Sequence, residues 1–215
     1  MKKVLTEKDV LRANKDGRRE ILLDADGVIT PAAADTARRL GIVVKREGER
    51  FARLTRPVVA TAEVAATISL GSDHAGLGLK EFLRTLLAGE GFRVVDRGAF
   101  DETPVDYPDI AVQVAQDVAR RRAWRGIVID GAGIGSAIVA NKLPGIRAAT
   151  CASVEAARSS REHNDANILA LGSRMVDQET AAQIVRVWLT TDFGGGRHER
   201  RLKKIEKIER RYLRG

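Results

Sequence analysis

The residues best suited to chemistry follow apolar runs in the C-terminal two thirds of the chain. Asp73 and His74 follow one run, Asp130 ends another, and the glycine-rich segment "GAGIG" comes directly after Asp130. Carboxylates and imidazoles transfer protons, and glycine-rich turns expose backbone N–H groups that bind anions. These residues predict a site in which a base acts beside a bound oxyanion or phosphate.

The spacing of the glycines excludes two nucleotide-binding loops. Gly131, Gly133 and Gly135 form G-x-G-x-G rather than G-x-G-x-x-G, and the charge of Asp130 would repel a pyrophosphate. A P-loop needs the triplet G-K-[ST], which the chain lacks. What remains is a strand-to-helix turn whose N–H groups suit an enediolate-like oxyanion or a phosphate, with a plain tight turn as the alternative.

Basic and polar residues near the C-terminus predict a phosphate site. Arg197 and Arg201 stand four residues apart, on one face of a predicted helix, and Arg174 follows a predicted strand. A guanidinium binds phosphate oxygens through paired hydrogen bonds. His163 and Asn164 lie in the polar segment "REHNDAN" rather than on an apolar face, which favours a functional role over a structural one.

The elements that position these residues alternate from residue 67 onward. Helical patterns separate five apolar runs, "TISLG", "FRVVDRG", "GIVID", "IRAATC" and "NILALG". Such alternation predicts an α/β fold, a three-layer α/β/α sandwich around a five-stranded parallel sheet. Because ligands bind beyond the carboxyl ends of parallel strands, the residues that follow each run are expected to share one site.

Residues 1–66 are predicted to form a separate small α+β extension before a domain spanning residues 67–215. A helix is expected from Thr6 to Gly17, a strand at "REILLD", and a second helix capped by Thr30, with Pro31 first and Gly41 at its end. The segment "TRPVVATAEVAA" is predicted to be the linker.

Composition restricts the functional class. The net charge of +8 and the pI of about 10.0 suggest nucleic acid, but much of the charge lies in "RHERRLKKIEKIERRYLRG", which predicts an amphipathic helix with a solvated face. Only 4% of residues are aromatic, so stacking on bases is not expected. No apolar run reaches the roughly 20 residues of a membrane span. The lone Cys151 favours a reducing, cytoplasmic setting.

Taken together, the segments "SDHAG", "DYPD", "GAGIGSAIVANKLPGIRAA", "REHNDANILALGSR" and "GGRHERRLKKI" resemble the type B ribose-5-phosphate isomerases and their galactose- and allose-6-phosphate relatives. The resemblance covers residues 67–212. It implies a flavodoxin-like strand order, no metal or organic cofactor, and a homodimer or dimer of dimers whose active sites lie at the interface. The C-terminal helix would pack on the partner subunit.

The resemblance implies an aldose–ketose isomerase of a sugar phosphate that acts through a cis-enediol, most simply on ribose 5-phosphate and ribulose 5-phosphate. The alternatives are a tetrose or hexose phosphate, or a non-catalytic phosphosugar-binding scaffold. The implied catalytic residues are Asp130, His163, which would open the sugar ring, and Asp73. The implied substrate-binding residues are His74, Tyr107, Gly131, Gly133, Gly135 and Asn164, and the implied phosphate-binding residues are Arg174, Arg197 and Arg201.

The chain departs from this family where the chemistry occurs. Asp130 stands where many members have a cysteine base, Ala132 where they have Thr or Ser, and Ser136 where another branch has a glutamate base. We expect Asp130 to be the base, with its pKa raised by partial burial, and a capping role is the alternative. Cys151 is interpreted as structural. A metal-dependent hydrolase is the more distant alternative, because the His and Asp residues lack ligand spacing such as H-E-x-x-H.

The first 66 residues resemble segments found at the N-termini of enzymes of bacterial microcompartments, such as the cobalamin adenosyltransferase of ethanolamine utilisation. The resemblance rests on one helix, one strand and the "TPAA" helix start. It implies docking to a shell or cargo protein inside a microcompartment. The alternative is a small appendage that stabilises a dimer.

Overall fold

The computed structural model describes residues 4–24, 27–46, 64 and 66–212. The chain divides into two compact units, Met1–Thr55 and Arg56–Gly215. Apart from residues 64 and 66, the predicted linker "TRPVVATAEVAA" lies outside the described residues. The boundary at residue 66 therefore stays a prediction.

The N-terminal unit contains short helices and parallel strand pairs. Its elements are β1 Val4–Leu5, α1 Glu7–Lys15, β2 Glu20–Leu23, β3 Val28–Ile29, α2 Pro31–Arg39 and β4 Val43–Arg46. Both predicted helices and the predicted strand at "REILLD" are confirmed. The Thr30 hydroxyl accepts a hydrogen bond from the Ala33 N–H at 3.2 Å, which is the predicted cap of α2.

The two halves of this unit repeat each other. Thr6 and Thr30 each precede a helix of nine residues, and Gly17 and Gly41 follow those helices with φ values of 72° and 65°. Equivalent strands pair in parallel, β1 with β3 and β2 with β4. The extension is therefore a duplicated strand–helix–strand unit, which the sequence analysis did not detect because few of the equivalent residues are identical.

The C-terminal unit alternates strands and helices as predicted. Its elements are β5 Thr67–Ser72, α3 Leu77–Gly89, β6 Arg93–Asp96, α4 Tyr107–Ala119, β7 Arg125–Asp130, α5 Ile134–Ala140, β8 Ala148–Thr150, α6 Val154–Asn164, β9 Ile168–Gly172, α7 Gln178–Thr190 and α8 Arg197–Tyr212. A short 3₁₀ turn, His74–Gly76, links β5 to α3. The α/β class and the five predicted strands are confirmed.

The five strands form one parallel sheet in the order β6-β5-β7-β9-β8. The first three strands follow the flavodoxin-like order, but the last two are exchanged, so that β9 lies beside β7 and β8 takes the edge. Burial explains this exchange. All five residues of β9 are buried, as a central strand requires, whereas β8 is short and Thr150 at its end is exposed.

Apolar side chains fill both faces of the sheet and create the three layers. Along β7, Ile127 and Ile129 face a core shared with α3, α6 and α7, and Val128 faces a core shared with α4 and α5. Such continuous apolar strands are typical of parallel sheets covered on both faces. Among the described residues, no helix is both long and apolar enough to cross a membrane.

A buried carboxylate joins α4 to the sheet. Asp117, on α4, accepts hydrogen bonds from Ser69 Oγ on β5 at 2.8 Å and from the guanidinium groups of Arg97 and Arg122. Burial raises the pKa of Asp117, but the hydrogen bonds from Arg97, Ser69 and Arg122 outweigh burial, so the pKa lies below its usual value. The ionised form is therefore the one that the fold stabilises.

We expect Asp117→Asn to lower the free energy of unfolding by about 2 kcal/mol at pH 7, because it leaves the buried Ser69 hydroxyl and two partly exposed guanidinium groups without a charged acceptor. The folded-state pKa is lowered, so the carboxylate stabilises the fold above about pH 4 and loses this effect as pH falls through the folded-state pKa. The difference between variant and wild type should therefore shrink under acid conditions. Urea unfolding followed by the fluorescence of Trp124 and Trp188, both in the C-terminal unit, measures it.

Asp101→Asn is the matched control, because exposed Asp101 accepts a hydrogen bond from the nearby Thr103 N–H at 2.9 Å. This variant should change stability by less than about 0.5 kcal/mol. An equal loss for both variants, or a loss at Asp117 that does not depend on pH, would contradict the assigned role of the buried carboxylate.

Candidate active site

Three neighbouring strands bring polar residues to the carboxyl edge of the sheet. The Asp73 N–H, just after β5, donates to the Ile129 carbonyl at 3.1 Å, and the Ser173 N–H, just after β9, donates to the Asp130 carbonyl at 2.8 Å. Asp73, Asp130 and Ser173 are therefore neighbours, as the position of each residue after an apolar run predicted.

The Asp130 carboxylate accepts hydrogen bonds from the loop that follows it. Oδ1 accepts from the Ala132 N–H at 2.8 Å and from the Gly133 N–H, and Oδ2 accepts from the Ser136 N–H at 2.9 Å. The side chain is 5% exposed, so these bonds form largely out of water.

These hydrogen bonds correct the expected pKa of Asp130. Burial raises the pKa, but the Ser136 hydroxyl and the N–H groups of Ser136, Ala132 and Gly133 lower it further than burial raises it. The pKa lies below its usual value rather than above it. The carboxylate caps the glycine turn, which was the alternative to the base, and its role as a base stays a prediction that this geometry does not favour.

The glycine loop is built to direct its amides at Asp130. Gly133 has a φ of 75°, and a Cβ atom there would lie 2.8 Å from the Leu171 carbonyl carbon, so only glycine fits. The Gly133 and Ala132 N–H groups, expected to face a substrate oxyanion, are directed at a carboxylate of the chain itself. The anion-binding turn that the sequence predicted is present and holds an internal anion.

Tyr107 and Arg174 flank the same loop. A Cβ atom on Gly135 would lie 2.6 Å from Tyr107 Cζ, so the ring packs directly against the loop backbone. A Cβ atom on Gly131 would lie 3.7 Å from Arg174 Nε. The structure thus brings these two side chains to the glycine turn, where the sequence analysis expected a substrate.

Asp73 and His74 lie at the adjacent strand end. Asp73 Oδ1 accepts a hydrogen bond from the Gly76 N–H at 2.9 Å, which caps the short 3₁₀ turn before α3, and the residue is 8% exposed. His74 Nδ1 accepts from the Val105 N–H at 3.4 Å, in the loop before α4. Both residues are therefore held by local backbone contacts at the predicted edge.

A second polar group lies where α6 meets α8. His163 Nδ1 is 3.1 Å from Ser159 Oγ, and the His163 ring stacks on His198 with 4.4 Å between ring centroids. Arg197 Nε is 3.3 Å from His198 Nε2. His198 and Ser159 were not assigned roles from the sequence, although the adjacency of Arg197 and His198 in "GRHERR" was a signal for the former.

Asn164 and Arg201 extend this second group. Asn164 ends α6, and its carbonyl accepts a hydrogen bond from Arg147 Nε at 3.0 Å. Arg201 lies one helical turn after Arg197 on α8, so both guanidinium groups leave the helix on one side. The phosphate-binding residues predicted from the sequence therefore occur in both groups, Arg174 at the glycine turn and Arg197 and Arg201 on α8.

The structure also bears on two other interpretations, that of Cys151 and that of a metal site. Cys151 is buried against the core shared with α3, α6 and α7, and burial raises the pKa of its thiol, which agrees with a structural interpretation. Among the residues that the structure describes, no three His, Cys, Asp or Glu side chains are grouped as a metal site would require. The metal-dependent alternative gains no donor set from this part of the chain.

Comparison with known proteins identifies the domain that carries these residues. A family model described as Ribose/Galactose Isomerase matches residues 68–205. Ribose-5-phosphate isomerase B of Escherichia coli is 44% identical over 144 residues, which is 67% of this chain and 97% of that protein. D-erythrulose-4-phosphate isomerase of Pectobacterium atrosepticum is 38% identical over 146 residues, 66% of this chain and 95% of that protein.

A solved structure agrees with the sequence comparison. Ribose-5-phosphate isomerase B of Clostridium thermocellum superposes with a TM-score of 0.67 at 50% identity, covering 68% of this chain and 99% of that chain. The similarity therefore spans the C-terminal unit and almost the full length of its relatives. The chain belongs to the Ribose/Galactose Isomerase family.

Proposed function

We propose that the protein is an aldose–ketose isomerase that interconverts ribose 5-phosphate and ribulose 5-phosphate through a cis-enediol. The observation that carries the proposal is the family match over residues 68–205. The site supports it, because buried carboxylates at two strand ends stand beside residues suited to a phosphorylated sugar. The reaction moves protons within one substrate, so it needs no external oxidant or reductant.

In this proposal the cationic residues bind the phosphate, and the other residues act on the sugar. Arg174, Arg197 and Arg201 hold the phosphate, because a guanidinium gives two parallel hydrogen bonds to its oxygens. His163 opens the sugar ring by moving a proton between the ring oxygen and the hydroxyl of C1. The sugar chain lies along His74, Tyr107 and Asn164.

A homodimer would assemble this site. The face of α8 that bears Ile205, Ile208 and Tyr212 is exposed in the single chain, and it borders a groove of about 440 Å³ with the loop around Ile146. Exposed apolar side chains in such a row are typical of a subunit interface. We propose that a second copy covers them and that each site combines the residues at the glycine turn of one subunit with the second polar group, where α6 meets α8, of its partner.

We also propose that residues 1–66 dock the enzyme, in the cytoplasm, to a shell or cargo protein of a microcompartment. The duplicated unit has a small core, and it exposes apolar side chains on the outer faces of its strand pairs, among them Leu22 and Val43. A unit of this size gains stability by covering such residues with a partner.

The proposed function predicts turnover of a pentose phosphate. Purified protein should convert ribose 5-phosphate to ribulose 5-phosphate with a kcat on the order of 10 s⁻¹, measured by the absorbance of the ketose or by coupled assay. Tetrose and hexose phosphates, assayed alongside, locate the substrate within the family. Tight binding of a phosphosugar without isomerisation of any of them would indicate that the protein is a phosphosugar-binding scaffold and not an enzyme.

Removing a phosphate ligand should weaken substrate use selectively. Arg201→Gln is expected to lower kcat/KM by about 10- to 100-fold, chiefly through KM, because a charge-assisted hydrogen bond contributes about 1.5–3 kcal/mol. Arg200→Gln, on the neighbouring face of α8, is the control and should stay within about threefold of wild type. Equal effects of both variants would show that only the general charge of the helix matters.

Charges placed on the apolar face of α8, which bears Ile205, Ile208 and Tyr212, should separate the subunits. We expect the double variant Ile205→Glu, Ile208→Glu to sediment as a monomer and to lose turnover, because burying two carboxylates in an apolar interface costs several kcal/mol. Lys204→Glu, on the exposed side of α8, is the control and should remain a dimer. A variant that is monomeric and fully active would show that one chain holds the complete site.

Docking through the extension predicts a specific loss of association. Full-length protein should co-sediment with purified microcompartment shells, and the double variant Leu22→Asp, Val43→Asp should not. Both forms should keep their isomerase activity, and Lys15→Glu serves as a surface control. If wild type does not co-sediment with shells, and the double variant weakens the dimer instead, the extension is a dimer-stabilising appendage.

A further inference from the structure

A residue that removes a proton from carbon needs an open acceptor position, and the loop that follows Asp130 occupies most of the positions on that carboxylate. A carboxylate offers about four lone-pair positions. Three backbone N–H groups of the loop donate to Asp130, two at Oδ1 and one at Oδ2, and they take up three of these positions. A substrate C–H would have to approach an oxygen that already accepts the Ser136 N–H.

Asp73 has the opposite arrangement at the next strand end. Within the described part of the chain, its carboxylate accepts one hydrogen bond, from the Gly76 N–H to Oδ1. Capping therefore uses one oxygen and leaves acceptor positions at Oδ2. The residue is 8% exposed, so the carboxylate is largely shielded from bulk water.

The position of Asp73 relative to the glycine turn suits the reaction. Ser72 pairs with Ile129 across the two parallel strands, and the Asp73 N–H bonds to the Ile129 carbonyl at 3.1 Å. Asp73 and Asp130 thus begin at the same level of the sheet edge. A substrate held over the glycine turn, between Tyr107 and Arg174, would lie beside Asp73.

Other proton acceptors of the C-terminal unit are less suitable. Cys151 is only 2% exposed and packs in the apolar core. Burial raises the pKa of its thiol, which disfavours the thiolate. His74 Nδ1 already accepts the Val105 N–H. Asp106 and Asp109 lie at the start of α4, and both are exposed to solvent.

We propose that Asp73 is the base that moves the proton between C2 and C1, and that Asp130 is a positioning residue that shapes the glycine turn. This inference rests on the isomerase function proposed above. It assigns the proton transfer to a strand end different from the one at which the sequence analysis placed the base.

The step balances within the substrate. Asp73 Oδ2 takes the proton from C2 of the open-chain aldose, the C2–H electron pair forms the C1=C2 bond, and the carbonyl π pair moves to O1. The proton of the C2 hydroxyl passes to O1, which gives the cis-enediolate with its charge on O2. The C2=O2 bond then forms, and C1 takes the proton back from the Asp73 carboxylic acid, which yields the ketose.

Asp73→Asn tests the assignment, because the amide oxygen still accepts the Gly76 N–H while the side chain no longer binds a proton. We expect kcat to fall about 1,000-fold with KM within threefold of wild type, since general-base catalysis contributes about 10²–10⁴-fold. Exchange of the substrate C1 or C2 hydrogen with deuterated water, followed by NMR, should fall equally. Asp73→Ser, which also caps a helix well, repeats the test if the first variant does not fold.

Two further variants separate chemistry from folding. Asp177→Asn is the matched control, because Asp177 caps α7 through one hydrogen bond from the Thr180 N–H at 2.7 Å, and it should keep wild-type kcat. Asp130→Asn places an amide NH₂ group among N–H donors, so we expect lower thermal stability and a smaller loss of kcat than Asp73→Asn causes.

The outcomes distinguish the two proposals. Wild-type protein that isomerises no phosphosugar overturns the proposed function, and the present inference with it. Active wild type with more than a tenth of its kcat retained in Asp73→Asn overturns only the role of Asp73. A folded Asp130→Asn that binds substrate normally, loses kcat 1,000-fold and stops hydrogen exchange, with Asp73→Asn still active, returns the base to Asp130.

Discussion

The hydrogen bonds between the Asp130 carboxylate and its own loop determine the form of the sheet edge. They fix the turn between β7 and α5, because three N–H groups of residues 132–136 converge on one side chain. They neutralise the positive end of α5 from within the chain. A turn of this kind would otherwise bind an external anion, so the position of one carboxylate decides which groups remain for a substrate.

The sheet brings together residues that are distant in the chain. β5, β7 and β9 are neighbours, and the residues that follow them meet because parallel strands end on the same side. Central placement of β9 depends on its being apolar on both faces, and it brings Ser173 next to Asp130. The second polar group lies where α6 meets α8 rather than at these strand ends, and for that reason we proposed that a second subunit completes the site.

The sequence predicted the parts of the structure that follow from local patterns. Apolar runs located the five strands, and Thr30 and Pro31 located the start of α2, because capping and burial leave marks in adjacent residues. The exchange of β8 and β9 was not predicted, because strand order depends on how helices pack across the sheet. The lowered pKa of Asp130 was not predicted either, because its sign depends on how many donors reach the carboxylate, and Ser136 is six residues away.

The difference between the two carboxylates is a matter of energy as well as position. If Asp130 took a proton from carbon, the three hydrogen bonds from its own loop would lose their charge assistance, which costs about 1.5–3 kcal/mol in all. Such a cost, added to an activation barrier, slows a reaction by about ten- to more than a hundredfold. Asp73 can take the proton at Oδ2 while Oδ1 keeps its single bond to Gly76. A site with both residues therefore favours Asp73 for proton transfer, because there the chemistry does not compete with the fold.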